Sequence, residues 1–96
     1  MNLRLVQFSL SPGARGTAEA IARRVVPVIR AQAGCDRCAF FGDEAAGDYG
    51  IVVLWASKAD ADAAAQVVSP ILSGSLAEAK ATGERRQLFE VYEPRV

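Results

Sequence analysis

The chain has no histidine and only one tryptophan, one asparagine and two cysteines among its 96 residues. Each shortage excludes something. Without histidine there is no nucleophile–imidazole pair of the acyl-transfer type. Two cysteines with no histidine cannot complete a tetrahedral zinc site. No charge of either sign is in excess, since 11 basic residues balance 11 acidic ones. Nucleic-acid binding, which calls for a basic excess or stripe, is therefore not expected. Arg23-Arg24 and Arg85-Arg86 read as isolated pairs on solvated faces or at element ends. No apolar run approaches the roughly 20 residues of a membrane span. The N-terminus reads as a strand with no signal-peptide pattern, so a cytoplasmic location is expected. No glycine pattern resembles a phosphate-binding loop. Asp60 and Asp62, two apart on a helix, do not share a face, and paired-carboxylate chemistry has no support.

What is present is a compact apolar framework. The chain is 51% hydrophobic and 23% charged, as in an ordered globular protein. Its length suits one domain over residues 1–96, which on folding would bury only about two thirds of its extended-chain surface. The densest stretch is Tyr49–Ala56, rich in β-formers. Ile51, Val53 and Trp55 share one face of this strand, and Val52, Leu54 and Ala56 the other. An antiparallel sheet in a lone two-layer domain should be polar on its outer face. Apolar groups on both faces therefore predict a homodimer packed through its sheets.

The remaining elements follow in order. Leu3–Leu10 is a strand that points Val6, Phe8 and Leu10 into the core and leaves Leu3, Leu5, Gln7 and Ser9 to a shallower face. Helix one is expected from Ala18 to Ala33, with Thr17 as N-cap and Glu19 in the first turn. Pro27 predicts a kink or a break within it, either a bend over the sheet or the roof of a cavity. Gly34 suits the left-handed position after a helix. A strand over Arg37–Gly42 and a loop over Asp43–Asp48 lead to the third strand. Ser57 can cap a helix over Lys58–Val68, which Pro70 is expected to end, and Ile71, Leu72 and Leu76 then form a short further piece interrupted by Gly74. The last strand is read over Arg85–Glu93, with Pro94 ending it. The order β-α-β-β-α-β is the ferredoxin-like α+β pattern with an antiparallel sheet. Cys35 and Cys38 make a CxxC spacing. Strand alternation sends the two to opposite faces unless Cys35 still lies in the turn. Structural, redox and intersubunit-metal readings of the pair all stand at this point.

Four features resemble the antibiotic biosynthesis monooxygenase-like family of dimeric α+β barrels. They are the first strand ending at Ser11-Pro12-Gly13, the Ala33-Gly34-Cys35 turn, the strand end Val53-Leu54-Trp55-Ala56-Ser57 before an alanine-rich helix, and the C-terminal Val91-Tyr92-Glu93-Pro94. The resemblance spans nearly the whole chain. It implies homodimers whose two sheets close into a barrel, the last strand reaching toward the partner. It also implies a pocket between sheet and helices in each subunit. The family's activities include oxidative haem degradation, which is expected to need an axial histidine that this chain lacks. They also include cofactor-free oxygenation of quinol-like aromatics, in which Asn, Trp, Tyr and Arg side chains position an ionised phenol and the substrate supplies electrons to oxygen. That branch implies no metal and no cofactor.

Trp55 matches the family tryptophan of strand three and reads either as a core or rim residue or as the wall against which a planar substrate stacks. Tyr49 and Tyr92 offer hydroxyls. Arg4 would compensate an anionic oxygen if its face lines a pocket. Gln7, inside an apolar strand, needs a partner if buried. Asn2, the single asparagine, sits at a terminus, and no residue is assigned a catalytic role. The function expected is monooxygenation of a small hydrophobic aromatic compound. A non-catalytic small-molecule-binding or accessory protein of the same fold is the alternative, and an isomerase or cyclase a third reading.

Overall fold

The computed structural model describes residues 1–92. Six elements follow one another: β1 (Asn2–Ser9), α1 (Arg15–Arg30), β2 (Cys35–Asp43), β3 (Asp48–Trp55), α2 (Lys58–Glu78) and β4 (Thr82–Glu90). The strands form one sheet in the order β2-β3-β1-β4, with every neighbouring pair antiparallel. This is the ferredoxin-like α+β fold expected from the sequence. Val6, Phe8 and Leu10, together with Tyr49, Ile51, Val53 and Trp55, are buried beneath the helices. The core face expected for β1 is thus the observed one; for β3, whose sequence left the choice open, it is the face of Ile51, Val53 and Trp55.

The other sheet face is also apolar. Across the ladders, Leu3 lies beside Leu54 and Phe89, and Leu5 beside Val52 and Gln87. Phe41 of β2 is on this face, opposite Gly50. Phe41 and Phe89 are 42% and 43% exposed, whereas the leucines and Val52 are half-buried. Among the described residues no helix is long and apolar enough to cross a membrane.

Both helices differ from the sequence expectation. α1 begins at Arg15 rather than Ala18, its N-cap is Ala14 without a side-chain bond, and no acidic residue lies in its first turn. Thr17 is already helical. The chain enters α1 through a tight turn in which the Ala14 N–H donates to the Ser11 carbonyl at 3.2 Å. Gly13, at φ +78°, takes the left-handed conformation that this turn requires. α1 remains one helix across Pro27 and ends one turn later.

α2 likewise runs unbroken through Pro70 and Gly74 to Glu78. Pro70 removes the donor for the Gln66 carbonyl, but both residues are exposed and that carbonyl meets water. On the opposite side Val68, Leu72, Ser75 and Leu76 are buried at helical spacing. Tertiary packing there outweighs the local propensity to stop. Ser57 caps α2 as expected, its Oγ accepting from the Asp60 N–H at 3.1 Å.

β2 starts two residues before the expected Arg37, and β4 three before the expected Arg85. β4 ends at Glu90, three residues short of the expected Glu93: Val91 and Tyr92 are described and lie outside the strand, while Glu93 and Pro94 fall outside the described residues. A register shift between Cys35 and Arg37 sets Cys35 opposite Trp55 and Cys38 opposite Val53. Strict alternation would have separated the two thiols. The bulge instead turns both toward the helices, where they pack against the core.

Candidate functional site

Three strands supply the floor of a cavity of about 100 Å³ that opens at the side of α2. β3 contributes Ile51, Val53 and Trp55, β1 contributes Arg4 and Val6, and β4 contributes Arg86. Register brings them together: Arg4 pairs with Val53, and Val6 lies between Ile51 and Arg86. α2 forms the roof with Ala61, Ala64, Ala65, Val68, Ser69 and Leu72, and Ile29 of α1 closes one wall. The roof residues recur at helical spacing along one stripe of α2. Three of them are alanines, whose short side chains leave the volume that larger ones would fill.

Trp55 is 3% exposed and forms the apolar end of the cavity. The lining contains two charged side chains, Arg4 and Arg86, and no acidic one. Arg86 is held in place. Its Nε donates to Glu84 at 3.0 Å, and its Nη2 to Ser73 at 2.9 Å and to Glu84 at 3.2 Å. Its side chain is 24% exposed. Arg4 is half-buried and has neither a hydrogen bond nor an ion pair from its side chain among the described residues. An apolar slot with cationic groups at one side is suited to a flat, partly ionised molecule. Among the described residues no group of three or more His, Cys, Asp or Glu side chains gathers into a metal site.

Of the residues singled out from sequence, the cavity unites Trp55 and Arg4. The other three lie elsewhere. Tyr49 shares the helix-covered face but stands six residues along β3 from Trp55, roughly 20 Å. It packs with Phe8 and Phe40 at ring-centroid distances of 6.3 and 6.4 Å. Its buried hydroxyl has no partner among the described residues. Gln7 is on the opposite face, between Gly50 and Arg85, and is half-buried rather than enclosed. Tyr92 follows β4 and is 80% exposed.

Arg86 was not singled out, because Arg85-Arg86 reads as a surface pair. Extension of β4 back to Thr82 places Arg86 mid-strand and alternates the two arginines between faces. The signal available in the sequence was that alternation, already present in the expected strand Arg85–Glu93 but not applied to the pair. The thiols of Cys35 and Cys38 are both raised above the ordinary value, chiefly by burial. Neither therefore has the lowered pKa of a reactive thiolate.

No protein-family model matches the chain, and no curated protein does. Solved structures match it closely in shape. SnoaB, a cofactor-independent oxygenase from Streptomyces nogalater, superposes with a TM-score of 0.73 at 14% identity, over 97% of this chain and 94% of SnoaB. A solved antibiotic biosynthesis monooxygenase matches at 0.74 and 15% identity, over 97% of this chain and all of the other. NE2512 from Nitrosomonas europaea, a protein of unknown function, matches at 0.80 and 14% identity, over 99% of this chain and 92% of NE2512. At these identities the likeness is one of fold. The chain has the ferredoxin-like fold found in antibiotic biosynthesis monooxygenases.

Proposed function

We propose that the protein is a homodimeric monooxygenase that oxidises a small hydrophobic quinol-like aromatic compound without metal or flavin. The observation that carries this reading is the alanine-roofed cavity whose floor carries Trp55, Arg4 and Arg86 on one sheet face. A phenol bound there would stack on Trp55, and a guanidinium would stabilise its ionised form. The phenolate is the electron-rich species able to pass electrons to oxygen. One oxygen atom then enters the substrate, and the other leaves as water with electrons drawn from the substrate. The lining offers no carboxylate or histidine as base, so the phenol proton passes to water at the mouth. Support from outside the chain is the shared fold with SnoaB, a cofactor-independent oxygenase. The dimer is supported by the apolar outer face around Leu3, Leu5, Val52 and Leu54.

The second reading, a small-molecule-binding protein with no turnover, is favoured by that same lack of a base. The test is aerobic incubation of the pure protein with a panel of quinols while oxygen consumption and product are followed. Oxygen uptake above the uncatalysed rate, lost in Trp55→Ala and Arg4→Met, is the expected result. A panel that binds without any oxygen uptake leaves the second reading in its place.

A further inference from the structure

The charge balance of the cavity goes further than its apolar character. Arg4 presents five N–H donors with no acceptor among the described residues. Arg86 commits Nε and Nη2 to Glu84 and Ser73, which leaves its Nη1 without a partner among the described residues. Glu84 neutralises one of the two guanidinium charges through its 3.0 Å contact with Arg86. One positive charge remains, beside an apolar slot and half shielded from water. A half-buried guanidinium costs desolvation that nothing on the protein side offsets. A carboxylate is the planar anion that matches its fork of donors.

Size narrows the ligand. The slot is partly open and its volume of about 100 Å³ is below that of the closed cavity of roughly 150 Å³ that holds benzene, so a ring lies only partly within it. A single ring can lie between Trp55 and the alanines of α2 only with its substituent at the open side, where Arg4 and Arg86 stand.

We propose that the cavity is a binding site for a monocyclic aromatic monocarboxylate, its ring on Trp55 and its carboxylate bridging Arg4 and Arg86. This rests on the reading above only in taking the cavity as the ligand site, and it names the anchor that would orient a ring for oxidation. Binding and turnover are thereby separable.

The experiment is calorimetric titration of the whole protein with benzoate and with its neutral analogue benzamide, at low and high salt. Benzoate is expected to bind at least about tenfold tighter than benzamide, as a charge-assisted pair implies, and to weaken as salt rises. Arg4→Met should remove that preference, lowering benzoate affinity about tenfold and benzamide affinity by less, since the amide loses a hydrogen bond but no ion pair. Arg4 makes no side-chain hydrogen bond or ion pair among the described residues, and a thermal melt verifies that the variant is folded. Arg86→Met is the second variant, read in the same way where it melts normally. Absence of benzoate binding, equal affinity for benzoate and benzamide, or an unaltered preference in folded Arg4→Met overturns the proposal. Oxygen uptake from neutral quinols with no preference for benzoate would leave the oxygenase reading standing and remove this one. A benzoate preference with no turnover of any quinol would do the reverse.

Discussion

Gly34 and Asp60 are packed so closely that a Cβ on Gly34 would collide with the Asp60 carboxylate. The contact joins the turn before β2 to the first turn of α2, and thus to the roof of the cavity. Gly34 is also in the left-handed region, at φ +82°, and its carbonyl accepts from the Ala56 N–H at 2.8 Å. Gly34→Ala should cost about 2–4 kcal/mol, part backbone strain and part overpacking. In Gly34→Ala/Asp60→Gly the steric part should be relieved, because the Asp60 Cβ itself lies 2.6 Å from the added carbon, and the backbone part retained. Urea unfolding of the four corners of this cycle measures the coupling. Equal costs of Gly34→Ala with and without Asp60 would refute the collision.

Filling the cavity should separate binding from stability. Ala64 is buried in the roof, and Ala64→Leu directs added carbons into existing space. A change in stability within about 1.5 kcal/mol is expected, with benzoate and quinol binding lost. Ala65→Leu, from a less buried position, provides the same test if the first variant folds poorly. Retained affinity in either folded variant would show that the ligand binds elsewhere.

The thiols give a pH dependence of known sign. Burial raises Cys35 and Cys38 above the ordinary 9.0, so above pH 9 the unfolded chain loses thiol protons before the native one. Stability contributed by these groups is complete below that pH and is lost as pH rises through the higher folded values. The midpoint of urea unfolding should fall above pH 9, and less so in Cys35→Ser/Cys38→Ser. Alkylation by iodoacetamide at pH 8 should be slower in the native protein than in the unfolded chain. Native thiols that react as fast as the unfolded ones would contradict the burial argument.

The apolar outer face predicts the assembly. Sedimentation at micromolar concentration should give twice the chain mass. Leu54→Lys, which sets a charge beside Leu3 on that face, should give a monomer that retains its helical content. A wild-type chain that sediments as a monomer defeats the dimer.

What could be read from sequence was set by how local its cause is. Alternation in Leu3–Leu10 pointed to the core face and alternation in Tyr49–Ala56 sorted its residues into two faces, because side-chain direction along a strand has period two. Ser57 announced its helix because a cap acts within three residues. Pro70 misled because its local effect was outweighed by the burial of Val68 and Leu72 against distant strands. Arg86 was missed for a related reason: its place at the cavity depends on β4 pairing with β1, more than 70 residues away in the chain. The bulge at Asp36, which brings both thiols to one side, is likewise a property of pairing with β3. Of the cavity residues, Trp55 was named through the family resemblance and Arg4 through its place on the first strand, whereas Arg86 needed the sheet.

The position of β1 between β3 and β4 has a consequence in time. The strand synthesised first can acquire its second neighbour only after β4 has been made, with Asn2 meeting Glu90. Once β1 has paired with β3, the segment that must close is residues 56–81, and that closure is entropically slow relative to formation of helices or the β2–β3 hairpin. Until it occurs, Arg86 is not at the cavity and one side of β1 is an unpaired edge. On a ribosome the nascent chain would therefore hold β2, β3 and both helices well before it could bind any ligand, and binding competence should appear as the final folding phase.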